Sequence, residues 1–239
     1  MIAVPISDDE VQPVDARGLR ITKGSDILLN NIYIKLERGD FAALVGPSGC
    51  GKTSLLRVLS LLDQPTCGTV RLFGREYKSD AASSICHDSI YPRLNYVPQT
   101  LGLWPHLTIR ENLLFATDGK SNTAMQLEHL CKLLGIATIL DRKPQFASQG
   151  QRQRSALVRA MVLQPQVLLL DEMTAALDGK LASIVWDLLR TFANDGGVVL
   201  ASTHDPSLAL QCSKVYRICD TAIKIERMAA HGDGSTQSP

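Results

Sequence analysis

The chain has 239 residues, 45% hydrophobic and 21% charged, enough for one large domain with a sizeable core and room for an inserted subdomain. Its 25 basic and 24 acidic side chains leave a net charge of +1, so nothing favours DNA or an anionic membrane surface, and no nucleic-acid partner is expected. No apolar run approaches the roughly 18 residues of a spanning helix.

Met1 to Pro13 carries Asp8, Asp9 and Glu10 and lacks the basic start and apolar run of a signal peptide. It reads as a flexible extension. Val14 to Ile21 and Ile27 to Leu36 read as strands around a Lys23-Gly24-Ser25-Asp26 turn. After Arg38-Gly39-Asp40 comes the apolar strand Phe41–Val45, then Gly46-Pro47-Ser48-Gly49-Cys50-Gly51-Lys52-Thr53 and a helix from Ser54 to near Leu62. Strand, glycine loop and helix give a G-x-x-x-x-G-K-[ST] match its meaning. Glycines let backbone wrap a phosphate, and loop N–H groups and the helix N-terminus point at the anion. Lys52 supplies a positive charge for the β/γ-phosphates and Thr53 a hydroxyl for Mg²⁺.

Gly68 to Gly74 reads as a short strand, and Arg75 to Arg93 is polar and unassigned. Leu94–Val97 is a strand ending at Pro98-Gln99. From Thr108 to about Leu140 the spacing of Leu113, Leu114, Leu127, Leu130, Leu133 and Leu134 makes helical apolar faces, as in a small helical insertion. A helix over Gly150–Leu163 precedes the apolar strand Val167–Leu170. Lys180–Phe192 is helical, Val198–Ser202 is another buried strand, and Lys214–Cys219 and Ala222–Glu226 close the fold. The tail from Met228 is small and polar and is expected to fray.

Three further elements carry chemistry. Asp171 and Glu172 end a fully apolar strand about 120 residues after the phosphate loop. Asp171 can hold Mg²⁺ and Glu172 can polarise an attacking water; the alternative is an acidic terminus that caps the next element. Ser202-Thr203-His204-Asp205 follows the next buried strand, and His204 can reach a γ-phosphate oxygen or the water, or be merely structural. Ser148 can cap the helix that Gln149-Gly150-Gln151 opens, which makes a second anion receptor. Two receptors on one chain suggest a nucleotide clasped between two copies.

In this order and spacing, residues 14–226 resemble the nucleotide-binding subunit of an ABC transporter. GPSGCGKT resembles Walker A, with Gly46 to Ser54 binding ATP. Gln99 falls at the Q-loop, Ser148, Gln149, Gly150 and Gln151 resemble the LSGGQ signature, and Val167–Glu172 resembles Walker B. Ala175 to Asp178 resembles the D-loop and His204 the switch histidine. The resemblance implies an α/β fold: a P-loop NTPase core with a mixed sheet, an N-terminal antiparallel β part and a small inserted α-helical subdomain over about residues 100–163. Residues 1–13 and 227–239 would flank it as flexible segments.

It further implies an ATPase that uses ATP and Mg²⁺, with Glu172, His204 and Gln99 catalytic and Thr53, Gln99 and Asp171 at the metal. Two copies would stack head to tail. Each Walker A would face Ser148, Gln149, Gly150 and Gln151 of the other, with Asp178 in the D-loop between them. A separate membrane permease would be driven through a docking surface that includes Leu103 to Thr108, where Trp104 could equally be ordinary packing. The chain would then be cytoplasmic, held on the inner face of the membrane through the permease, with a substrate-binding protein as a further partner in an importer.

The stretch Leu103–Asn112, Gln164-Pro165-Gln166 and the Ala-Ala-Leu-Asp D-loop are similar to polar amino-acid importers, whereas Asp-Glu-Met-Thr and the compact insertion look like small exporter cassettes, a metal-export group included. A low-turnover nucleotide-binding regulator is the other reading; a soluble ABC-type ATPase acting on DNA or ribosomes ranks below both. The six cysteines form no C-x-x-C pair, and Cys50 lies in the phosphate loop, so a reducing compartment is expected.

Several residues depart from the family pattern. Gln149 replaces a glycine, which would crowd backbone against phosphate, and Met173 replaces the usual proline. No long regulatory domain is expected after Glu226. Arg20 to Ser25 carries no aromatic to stack on adenine, removing about 1 kcal/mol or more of base affinity. ATP and GTP are therefore expected to bind with comparable, modest affinities in competition titrations; a strong preference for either base would contradict this.

Overall fold

The computed structural model describes residues 11–78, 90–117, 123–173, 179–204 and 209–227. The expectations for residues 1–10, Cys86, the D-loop with Asp178, Asp205 and the tail from Met228 lie outside the described residues.

In chain order the strands and helices begin with β1 (Val14–Lys23), β2 (Asp26–Leu36), β3 (Phe41–Val45), α1 (Lys52–Leu59), β4 (Cys67–Leu72), β5 (Arg75–Lys78) and β6 (Leu94–Val97). Then come α2 (Ile109–Thr117), α3 (Ala124–Leu133), α4 (Gln149–Met161), β7 (Val167–Asp171), α5 (Gly179–Asn194), β8 (Val198–Ser202), β9 (Lys214–Cys219) and β10 (Ala222–Arg227). The strands form two sheets, an antiparallel one ordered β2-β1-β4-β5 and a mixed one ordered β10-β9-β3-β8-β7-β6. In the second sheet β9, β3, β8, β7 and β6 run parallel and only β10 is antiparallel to its neighbour.

Every residue of β3, β7 and β8 is buried, because a parallel strand covered on both faces exposes neither set of side chains. The two faces feed two separate cores. Phe41, Ala43, Val45, Leu168, Leu170, Val199 and Ala201 join α2 to α5, including Trp186 and Phe192. Ala42, Leu44, Val167, Leu169, Val198 and Leu200 join α1 and the antiparallel sheet. The period of two along each strand thus decides which helix layer a side chain meets.

Several expected elements differ in detail. β5 lies in the stretch left unassigned. Its residues Arg75-Glu76-Tyr77-Lys78 are exposed or half-buried, so no apolar alternation marks it; it is held by pairing with β4 and by Glu76, which accepts from Arg71 at 2.8 Å. α1 stops at Leu59, short of Leu62, because Leu61 turns left-handed at φ 59° while remaining buried. The helix over Gly150–Leu163 spans Gln149–Met161 instead. The single helical stretch from Thr108 resolves into α2, α3 and two short 3₁₀ turns at Ala137–Ile139 and Pro144–Phe146. Leu113, Leu130 and Leu134 face the core as expected, but Leu114 and Leu133 are exposed. Arg110 is a structural ion-pair residue, 2.8 Å from Asp141.

β1 is irregular between Arg17 and Arg20, where Gly18 adopts φ 59° and β4 crosses closely. Gly68, at φ 95°, sits in that crossing, and a Cβ there would lie 2.6 Å from the Gly18 carbonyl oxygen and 2.7 Å from that of Arg17. Both obstacles are backbone. Gly68→Ala is therefore expected to cost about 2 kcal/mol or more, seen as a lower urea midpoint at unchanged slope; a wild-type midpoint would mean that the crossing yields freely.

Candidate active site

The expected phosphate loop joins β3 to α1 at the carboxyl end of the parallel sheet, where ligands bind in open α/β folds. Gly51 precedes α1 in the left-handed conformation, φ 101°, and no side chain caps the helix. The first N–H groups of α1 therefore stay available to an anion. A Cβ on Gly46 would lie 2.8 Å from Cys50 Sγ and 3.2 Å from the Ile218 carbonyl oxygen, so glycine alone lets the loop lie against β9. Lys52, 5% exposed, folds back and donates to the carbonyls of Gly46 and Pro47, both at 2.9 Å. The hairpin of β1 and β2 reaches this loop, with Leu29 Cγ 3.2 Å from a Cβ placed on Gly51.

Strand register brings the acidic pair to the loop. Asp171 shares the face of β7 that carries Val167 and Leu169, the face beneath α1. Its carboxylate is 1% exposed and accepts from three hydroxyls. Thr53 donates to Oδ2 at 2.7 Å, Tyr96 to Oδ2 at 3.3 Å and Ser202 to Oδ1 at 2.7 Å. Tyr96 and Ser202 stand on the matching faces of β6 and β8, on either side of β7. Sequence reading gave neither of them a role. The signal was a buried acid, which needs donors, between two strands that each carry a hydroxyl near their carboxyl end.

Glu172 follows with φ 52°, an uncommon backbone state for a non-glycine residue. Its N–H donates to Ser202 Oγ at 2.9 Å. Gln99 Nε2 donates to its Oε2 at 3.0 Å, and His204 Nε2 lies 2.5 Å from its Oε1. Gln99, Glu172 and His204, from the ends of three strands, therefore meet at one carboxylate.

Thr53 and Asp171 are hard oxygen donors of the kind that Mg²⁺ takes. Among the described residues no cluster of three or more His, Cys, Asp or Glu side chains could hold a metal. The donor set fits an ion that brings most of its oxygens with it, as Mg²⁺ does with substrate phosphates.

Ser148 to Gln151 lie elsewhere. They open α4, with Ser148 Oγ accepting from Gln151 N at 3.2 Å and Ser148 N donating to Gln151 Oε1 at 2.9 Å. Among the described residues no hydrogen bond joins them to the phosphate loop. Gln149 is exposed at the first helical position.

A groove of about 1030 Å³ lies beside β6, lined by Tyr91, Trp104, Leu114, Phe115 and Arg159 among others. Trp104 meets Phe115 edge-on at 4.9 Å, and Arg159 lies 5.1 Å from the Trp104 ring while donating to the carbonyls of Leu101 and Gly102. Trp104 is 37% exposed and Phe115 68%, so the indole is partly packed and partly groove wall. Among the described residues no helix is long and apolar enough to cross a membrane.

The ABC transporter family model matches residues 29–175. The chain is 34% identical over 202 residues to the arginine transport ATP-binding protein ArtP of Escherichia coli, covering 82% of this chain and 84% of that protein. It is 35% identical over 207 residues to the lipoprotein-releasing system ATP-binding protein LolD of Anaeromyxobacter dehalogenans, again 82% and 84%. A dimeric ATP-binding cassette in a post-hydrolysis state, bound to ADP and Pi, superposes with a TM-score of 0.80 at 26% identity over 91% of this chain and 99% of that one. The loop, the acidic strand end and the fold agree with these likenesses: the chain belongs to the ABC transporter family as an ATP-binding subunit, one of the ATPases coupled to transport.

Proposed function

We propose that two copies of this chain close head to tail around two ATP molecules and drive a separate membrane permease. The observation that carries this reading is the Glu172 carboxylate, held by Gln99 and His204 one residue beyond an Asp171 that is tied to Thr53 of the phosphate loop. Residues Gly46, Pro47, Ser48, Gly49, Cys50, Gly51, Lys52, Thr53 and Ser54 would wrap the phosphates. Lys52 would exchange its two carbonyl acceptors for β/γ-oxygens. Thr53 and Asp171, with Gln99, would hold Mg²⁺, which supplies charge neutralisation on the phosphates. Glu172 would orient and deprotonate the attacking water, and His204 would donate to the γ-phosphate.

The second receptor is supplied by the other copy. Ser148 accepts in its capping box, which leaves its own proton for a phosphate oxygen, and the N–H groups of Gln149 and Gly150 begin a helix without intrahelical partners. Gln151 holds the cap from the other side. Asp178 would lie between the copies.

The groove walled by Trp104 and Phe115 suits a permease helix with apolar side chains. Such a partner would hold the chain at the cytoplasmic face of a membrane. ArtP is named for arginine transport and LolD for lipoprotein release. With the importer-like stretch Leu103–Asn112, uptake of a polar amino acid, delivered by a substrate-binding protein, is the reading we favour over export.

Glu172→Gln keeps the shape of the side chain and one acceptor oxygen for Gln99 but cannot take a proton. Its turnover is expected to fall by about 100-fold or more with nucleotide binding retained. In Mg-ATP its solution mass should move from monomer to dimer, with no such shift in the absence of nucleotide. Wild-type turnover would remove Glu172 as the base. A monomer that binds ATP would overturn closure by the cassette alone.

A further inference from the structure

Tyr96 lies three residues before Gln99, on a strand whose other residues pack into the core. Its ring packs against the apolar cluster that holds α1 to the sheet, and its hydroxyl reaches Asp171 Oδ2 at 3.3 Å. A carboxylate offers about four acceptor sites. Thr53, Tyr96 and Ser202 occupy three, with two of them on Oδ2.

The three donors are not equivalent. Serine and threonine hydroxyls turn about a single bond and can follow a carboxylate that rotates. A phenol hydrogen prefers the plane of its ring, and here the ring is fixed by packing. Thr53 also sits on the loop that must adjust to nucleotide, and Ser202 shares its oxygen with the Glu172 N–H. Tyr96 is the donor whose position nothing in the reaction needs to change. A phenol carries its proton at neutral pH, so Tyr96 is a donor there.

We infer that Tyr96 is a positioning residue whose hydroxyl fixes the rotation of the Asp171 carboxylate for the divalent ion that accompanies the nucleotide. The inference rests on the nucleotide reading above. It assigns Tyr96 no contact with nucleotide, so its removal should be felt only when the ion is present.

Tyr96→Phe keeps the ring, and Thr53 and Ser202 still satisfy Asp171, so the variant retains the means to fold. A fluorescent ATP analogue titrated into each protein, in Mg²⁺ and in EDTA, separates the two contributions. In EDTA the two proteins should agree within about twofold, while the gain in affinity on adding Mg²⁺ should be smaller in the variant by about tenfold or more, the scale of one hydrogen bond to a charged group. That gain is a ratio within each protein, so a small loss of stability does not move it. An unchanged gain overturns the inference. Equal losses with and without Mg²⁺ also overturn it, because they make the hydroxyl a packing feature. A wild-type chain that binds no nucleotide in either buffer fails the nucleotide reading instead, and is told apart by that result.

Discussion

Burying the charge of Asp171 is the constraint on which the rest of the site depends. A carboxylate taken out of water loses several kcal/mol of hydration unless donors replace it. Here the donors come from three different elements: Thr53 on α1, Tyr96 on β6 and Ser202 on β8. They converge only because β6, β7 and β8 run parallel and adjacent, in a register that turns Tyr96, Asp171 and Ser202 to the same face. α1 must then lie over that face, as it does through Leu55, Leu56 and Leu59 in the core. A slip of one residue in β7 would turn Asp171 into the opposite, wholly apolar core among Leu168, Leu170 and Trp186. The hydrophobic register and the set of hydroxyls around Asp171 therefore specify one another.

The next residue is handled in the opposite way. Glu172 leaves the strand with φ 52°, which turns its side chain out of the sheet toward the strand ends. Its side chain is 20% exposed, and its partners Gln99 and His204 belong to connecting segments. Ser202 joins the two acids, donating to Asp171 and accepting from the Glu172 N–H. Two neighbouring carboxylates thus meet contrasting surroundings. One is locked among hydroxyls in the interior. The other is part-exposed and held by the polar side chains of Gln99 and His204.

Much of this was legible in the chain. Fully apolar runs gave β3, β7 and β8, since strands buried on both faces must read that way. The glycine pattern gave the loop, because a φ of 101° at Gly51 leaves little alternative to glycine. Tyr96 was not legible as a donor, because its role depends on register with β7, and no local pattern encodes that. β5 was hidden for a related reason: its exposed Arg75 and Glu76 carry no apolar period, and pairing with β4 and the Arg71–Glu76 contact hold it. Leu114 and Leu133 show the converse error. Their spacing makes a helical apolar face, yet both lie on the surface, Leu114 in the groove wall.

The replacement of glycine by Gln149 bears on the same distinction between what one chain fixes and what two must. In a single copy the substitution is harmless: Gln149 is exposed, the capping box is complete, and α4 is anchored by buried Leu157, Val158 and Met161. A Cβ at the first helical position points back and sideways from the helix axis, away from the line of the N–H groups. Crowding by Gln149 would therefore arise only from a neighbouring surface. In the two-copy reading that surface is the nucleotide and phosphate loop of the partner. The altered signature then leaves the folding of this chain untouched and acts on how closely two chains can approach.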